Sequence, residues 1–281
     1  MVYLNGDMLP IEEAKISVLD RGFLLGDGVY EVIPAYGGKL FRLQQHLDRL
    51  QNSLDAVRIS NPHNSLEWQS ILQQLVDEGD SQDQSVYLQI TRGVAAKRDH
   101  LFANNLTPTV FAMSNPIAAL SDDIINNGAA AITLDDIRWK RCDIKAITLL
   151  ANVILKQEAH DAGAAEAILI KDGCALEGAA SNLFIVQDNV IITQPKSPQL
   201  LSGVTRDLVL ELATKHDLTF EERAIKEHEL LSADEIWLTS STKEILPVTL
   251  LNNKPISNGK PGAVWQKVSE LYRLYKVELR G

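Results

Sequence analysis

The sequence predicts an α+β protein on three observations. Helical stripes and alternating strands both occur throughout the chain, short polar loops separate them, and 45% of the 281 residues are hydrophobic, enough to bury a substantial core. That length suits one large domain or two of ordinary size.

The elements follow in order. "LQQHLDRLQNSLDAV" places Leu43, Leu47, Leu50, Leu54 and Val57 alternately four and three apart, which makes one helical stripe. "NSLEWQSILQQLVDEG" is a second helix, with Asn64 and Glu67 spaced as a capping box and Gly79 as its stop. "VYLQIT" alternates as a strand, and "TPTVFAM" supplies another after a polar loop. "SNPIAALSDD", residues 114 to 123, is the best candidate linker, because Pro116 and its polar flanks interrupt the periodicity. Beyond it "AAAITL", "EAILIKD", "NLFIVQDNVIIT" and "EIWLTSS" read as strands, the third a hairpin through Gln187, Asp188 and Asn189. "TLLANVILKQEAHDAG", ending at Gly163, and "TRDLVLELATKH" read as helices. A mixed sheet with packed helices is expected there.

Charge and motif content exclude several classes. With 27 basic against 37 acidic side chains the net charge is −10, which disfavours non-specific binding to nucleic acid or anionic lipid, so an anionic ligand needs a local basic cluster. The two cysteines, Cys142 and Cys174, have neither CxxC nor zinc-finger spacing, and a reducing cytoplasm fits best. No secretory leader is expected, and no apolar run reaches the roughly 18 residues of a membrane span. Gly22, Gly26 and Gly28 lack GxGxxG spacing, and GxxxxGK[ST], HExxH and GxSxG are absent.

Six segments carry candidate chemistry. Lys145 precedes an apolar run (Leu149, Leu150, Val153, Ile154), and apolar surroundings disfavour the charged form of an amine and leave it nucleophilic. In "KDGCALEGAASNLFIV", Glu177 stands before Gly178, Ala179 and Ala180; small side chains admit a flat ligand, and a carboxylate there can hold a protonated ring nitrogen. Ser202, Gly203 and Thr205 open a helix whose N–H groups favour a phosphate, and Thr239, Ser240, Ser241 and Thr242 follow a strand with further donors. Arg42, His46, Arg49 and Ser53 fall in one line along the edge of the leucine stripe. "TRGVAAKRDH" concentrates Arg92, Lys97, Arg98 and His100, and Arg98 with His100 can clasp a carboxylate. Taken singly, each also has an ordinary explanation as a solvated side chain, turn or cap.

Together, "DRGFLLGDGVYEV", "HLDRL", "TRG" with "RDH", "RWKRCDIKAITLLANVILKQEAHDAGAAEAIL", "EGAASNLF", "LSGVTRD" and "TSSTKEILPV" resemble the class IV, or fold type IV, pyridoxal-phosphate aminotransferases, most closely the D-amino-acid aminotransferases. The resemblance implies two domains, residues 1–118 and a larger 119–281 carrying the cofactor lysine, with pyridoxal 5'-phosphate at their interface, in a cytoplasmic homodimer. By the same resemblance Lys145 forms the internal Schiff base and shuttles the α-proton, and Glu177 pairs with the pyridine nitrogen. Arg49, the backbone of Val204, Thr205, Ser240 and Ser241 match the phosphate cup, and Leu201 packs against the ring. Tyr30, Arg98 and His100 match the trap for the substrate α-carboxylate, the last two reaching in from the other subunit, and Glu31 sits beside Tyr30 as in the family's VYE motif. The implied activity is ping-pong transfer of the amino group of a D-amino acid such as D-alanine to 2-oxoglutarate. A branched-chain L-amino-acid aminotransferase or an aminodeoxychorismate lyase is the alternative on the same fold, with amino and keto acids, and neither nucleic acid nor membrane, as partners. Two departures bear on substrate range: Ala179 and Ala180 stand where D-amino-acid aminotransferases often carry serines, and Ala95, Ala96 and Lys97 alter the loop before Arg98.

Overall fold

The computed structural model describes residues 1–102 and 105–280. The chain divides into two compact units, one formed chiefly by Met1–Ala118 with Ile144–Leu149, the other by Ala119–Asp143 with Leu150–Glu278. Lys145, expected in the C-terminal domain, thus counts with the first unit, because its segment is bonded to a strand there.

The first unit holds β1 (Val2–Leu4), β2 (Asp7–Leu9), α1 (Arg21–Leu25), β3 (Gly28–Tyr36), β4 (Lys39–Leu40), α2 (Leu43–Val57), α3 (Ser65–Asp77), β5 (Gln84–Thr91) and β6 (Thr109–Pro116). Its strands form an antiparallel sheet in the order β2-β1-β6-β5-β3-β4. The leucine stripe does what its spacing requires. Leu47, Leu50 and Leu54 of α2 pack with Trp68, Leu72 and Leu75 of α3 onto Val29, Ile33, Val86, Leu88 and Ile90 of the sheet. Both arms of the α3 capping box form, Asn64 Oδ1 accepting from the Glu67 N–H and Glu67 Oε2 from the Asn64 N–H. Gly79 is not the expected left-handed stop: the helix is capped at Glu78, and Gly79 is small because a Cβ would fall 2.0 Å from Gln84 Oε1. Nor does the linker begin at Ser114, since β6 runs on to Pro116, whose missing N–H is tolerated at a strand end.

The second unit holds α4 (Asp122–Asn127), β7 (Ala129–Asp135), α5 (Leu150–Asp161), β8 (Glu166–Lys171), β9 (Cys174–Gly178), β10 (Asn182–Gln187), β11 (Val190–Thr193), α6 (Val204–Lys215), β12 (Phe220–Glu222), β13 (Ile225–Lys226), α7 (Glu229–Ser232), β14 (Glu235–Ser240), β15 (Glu244–Leu251), β16 (Lys254–Pro255) and α8 (Ala263–Arg280). Its mixed sheet runs β12-β11-β10-β14-β15-β7-β8-β9-β13, with β7 parallel to both β8 and β15. The β10–β11 hairpin turns through Asp188 and Asn189, both at positive φ, the residue types that tolerate a left-handed turn. One further pairing, Asn182 with Glu177, joins β10 to β9. Strands β10, β14, β15, β7, β8 and β9 therefore close into a ring, and Glu177 lies at its seam.

Candidate active site

In the first unit, the segment around Lys145 runs along the start of β3. Tyr30 N–H donates to the Lys145 carbonyl (2.9 Å), Ile147 N–H donates to the Gly28 carbonyl (3.1 Å), and Ala146 bridges to Val29. From the other side the Lys145 N–H donates to Ser53 Oγ on α2 at 3.2 Å. Gly28 must be glycine in this arrangement, since a Cβ would lie 2.7 Å from the Ile90 carbonyl oxygen. The Lys145 side chain is half-buried, with Nζ 4.2 Å from the centre of the Tyr30 ring, a cation–π placement. Among the described residues none accepts a hydrogen bond or ion pair from Nζ. The apolar run after it does not supply the expected hydrophobic surroundings. Leu150, Val153 and Ile154 begin α5 and stand 73%, 59% and 42% exposed; the Tyr30 ring lies against the amine instead, and a cluster of buried polar groups is near enough for its His46 to feel the Lys145 charge.

Those polar groups come from the line read along α2. His46, Arg49 and Ser53 are all buried, whereas Arg42 lies before the first helical turn at positive φ. Glu31, fully buried on β3, accepts a two-bond fork from Arg49, Nε to Oε1 and Nη2 to Oε2, both 2.7 Å. His46 Nδ1 completes the cluster 2.8 Å from Glu31 Oε2. Burial alone would raise the Glu31 carboxyl, but the Arg49 charge and the hydrogen bonds from Arg49 and His46 hold it well below the usual carboxylate range. Burial pushes His46 the other way, below the ordinary histidine value, against the raising effect of the Glu31 hydrogen bond and charge, with the nearby Arg49 and Lys145 charges adding to the lowering.

Tyr30 lies on β3 with its ring 5.8 Å from Tyr87 on β5, whose hydroxyl donates to Gln89 Oε1. Arg98 and His100 are exposed, on a loop fastened by Arg21, whose Nη1 donates to the Asp99 carbonyl at 2.6 Å while Nε holds Asp27. Arg92 braces the same loop with its guanidinium 3.8 Å from the centre of the Phe102 ring.

In the second unit, Glu177 is on β9 rather than in a turn, and it is 3% exposed. Asn182 Nδ2 donates to its Oε2 (3.0 Å), the Leu201 N–H is shared between both oxygens (3.2 and 3.3 Å), and Arg138 Nη1 donates to Oε1 at 2.5 Å. Burial raises the Glu177 carboxyl to about 7, against the lowering effect of Arg138. Asn182 also donates to the Leu201 carbonyl, which fixes the chain leading into α6. That helix starts at Val204 with Gly203 as N-cap, which has no side chain to cap the first N–H groups. Gly203 is required there, as a Cβ would sit 1.9 Å from Asn182 Oδ1. Ser240 ends β14 and Ser241 follows it, both half-buried; Thr239 Oγ1, just before them, is buried without a hydrogen-bond partner among the described residues. Neither Arg138 nor Asn182 stands out in the sequence. Arg138 lies within the basic run "RWKR", and only the seam pairing distinguishes Asn182.

The amino-transferase class IV family model matches residues 28–251, and the chain belongs to this family of pyridoxal-phosphate enzymes. It is 43% identical over 267 residues to the D-alanine aminotransferase of Bacillus licheniformis, spanning 95% of this chain and 94% of that protein. To the D-alanine aminotransferase of Staphylococcus haemolyticus it is 34% identical over 98% of this chain and 97% of the other. Among solved structures, the branched-chain aminotransferase of the archaeon Thermoproteus uzoniensis with norvaline matches with a TM-score of 0.87 at 26% identity, covering 99% of this chain and 94% of that one. The fold is that of the fold type IV aminotransferases.

The donors present suit the family's cofactor. Lys145 offers an amine with no acceptor among the described residues, Glu177 an acidic acceptor at a seam lined by Asn182 and Leu201, and uncapped α6 and the orphaned Thr239 hydroxyl lie in the segments read from the sequence as the phosphate cup.

Proposed function

We propose that this chain transfers the amino group of a D-amino acid, with D-alanine as representative donor, to 2-oxoglutarate by a ping-pong cycle. The observation that carries the reading is the half-buried Lys145 amine over Tyr30, in a chain 43% identical to a D-alanine aminotransferase. Bound pyridoxal phosphate supplies an electron sink for the charge left when the substrate loses its α-proton. Lys145 Nζ would hold the cofactor covalently, and as a free amine it would take that proton and return it on one face, which would select the enantiomer. Glu177 would accept a hydrogen bond from the ring nitrogen, and Leu201 would pack on the ring. Arg49, the Val204 N–H, Thr205, Ser240 and Ser241 hold the phosphate, which orients the ring without bond making. Tyr30, Arg98 and His100 receive the substrate carboxylate, the last two from the partner subunit of a homodimer. The apolar face that Leu150, Val153 and Ile154 expose on α5 supports such an association. A cytoplasmic enzyme accords with this reading, and among the described residues no helix is long and apolar enough to cross a membrane.

A visible absorption spectrum tests the proposal. The purified protein should be yellow, borohydride should fix the cofactor to Lys145, and D-alanine should bleach the band. Bleaching by L-alanine or L-leucine alone would instead support the branched-chain L-specific reading, and pyruvate from aminodeoxychorismate would support the lyase.

A further inference from the structure

Arg138 has no part in the roles assigned above, yet it is among the most constrained side chains of the second unit. It follows β7, is 6% exposed, and divides its guanidinium between two carboxylates. Nε and Nη2 donate to Asp136 at 2.9 and 3.0 Å, the Arg138 N–H donates to Asp136 Oδ1 at 2.9 Å, and the remaining nitrogen, Nη1, points at Glu177. Asp136, itself 1% exposed, therefore works as a bracket that aims the cation.

A carboxylate offers about four acceptor positions. On Glu177 three are taken, by Arg138, by Asn182 and by the shared Leu201 N–H, which leaves one for a further donor. We infer that Arg138 is a positioning residue for the cofactor: it fixes Glu177 and stabilises its anion, so that the proton shared by this carboxylate and the cofactor's ring nitrogen rests on the ring. The inference builds on the assignment of Glu177 as the partner of that nitrogen. Its physical basis is the competition between two forms of one pair, carboxylate with protonated ring or carboxylic acid with neutral ring, which differ only in the side on which a single proton lies. Burial favours the neutral form, because charge separation is costly in a dry seam. A guanidinium 2.5 Å from Oε1 favours the charged form. The other ionisable groups felt at this cluster are Asp136, which opposes Arg138; Cys142, whose thiol is pushed up to about 11 and is neutral; and Lys171, which adds to the positive side. Arg138 alone among these donates to Glu177.

The test is nitrogen-15 magnetic resonance of the holoenzyme loaded with pyridoxal phosphate labelled at the ring nitrogen, at neutral pH. Wild type should show a protonated ring. The double substitution Arg138→Met with Asp136→Asn takes the cation from Glu177 without also stranding the buried Asp136 carboxylate. It should move the resonance toward that of neutral pyridine and lower kcat for D-alanine about 10- to 100-fold, the size of a charged hydrogen bond, with little change in KM. Arg138→Lys, which keeps the charge, should retain most of the protonated signal, and Asp136→Asn alone should retain all of it. An unmoved resonance in the double variant, with Glu177→Gln moving it, would overturn the role of Arg138 and leave that of Glu177 standing. An unmoved resonance in Glu177→Gln would instead remove the premise, since the carboxylate would then not be the ring's partner. Loss of the protonated signal in Arg138→Lys to the same extent as in the double variant would also refute the electrostatic account.

Discussion

Substituting Gln for Glu31 keeps the outline of the side chain and removes its charge. Glu31 is fully buried and is the shared acceptor for Arg49, through two bonds of 2.7 Å, and for His46 at 2.8 Å. Arg49 would be left as a buried cation without its carboxylate. Breaking one side of a buried, hydrogen-bonded ion pair costs about 3–5 kcal/mol. At an m-value of about 3 kcal/mol/M this lowers the urea midpoint by roughly 1 to 1.7 M. The pH dependence carries a second signature. Because the folded-state pKa of Glu31 lies below its unfolded value, its contribution is fully present above the unfolded value, about 4.3, and is lost as pH falls toward the folded one. Urea unfolding of wild type and Glu31→Gln, followed by circular dichroism from pH 7 down to pH 3, reads both. The substituted chain should be weaker at pH 7 and the two curves should converge in acid. A midpoint shift below about 0.3 M at pH 7, with parallel acid limbs, would refute the assignment of Glu31 as the anion that neutralises this cluster.

Three further substitutions probe the remaining parts. Lys145→Ala should abolish covalent cofactor attachment, scored by borohydride reduction and mass spectrometry, and should lower kcat at least about 100- to 10,000-fold, the range for a lost acid–base group. Gly203→Ala puts a methyl 1.9 Å from Asn182 Oδ1 and should dislodge the amide from Glu177; weaker cofactor binding, measured by equilibrium titration of the apoprotein, is expected, and unchanged binding would count against the Asn182 link. Val153→Asp charges the apolar face of α5, and sedimentation should show a dimer in wild type and a monomer in the variant.

The helices are legible because their information is local. The stripe of α2 and the capping box of α3 need only residues within a few turns of each other, and both elements have the expected residues. The line of His46, Arg49 and Ser53 along the edge of α2 is equally visible, and all three are buried. The sequence does not disclose what they meet. Glu31 reaches Arg49 across 18 positions and Arg138 reaches Glu177 across 39, distances at which no periodicity operates. The apolar run after Lys145 misleads for a related reason. Its spacing signals a helix, and α5 is one, but only the packed fold decides which face is covered: Leu155 and Ala159 are, Val153 and Ile154 are not. The longest helix, α8, is missing from the elements expected of the sequence. So is β3, because "DGVYEVIPAY" lacks a clean alternation; the strand pairs on both sides and buries seven of its nine residues, which erases the two-residue rhythm.

The main chain of Lys145 is anchored at its carbonyl by Tyr30 and at its amide by Ser53, while the amine end lies over the Tyr30 ring with no hydrogen-bond or ion-pair tether among the described residues. A fixed post with a swinging arm follows: the amine can let go of one reactant and meet another by rotating about side-chain bonds, a nanosecond motion that requires no rearrangement of the scaffold.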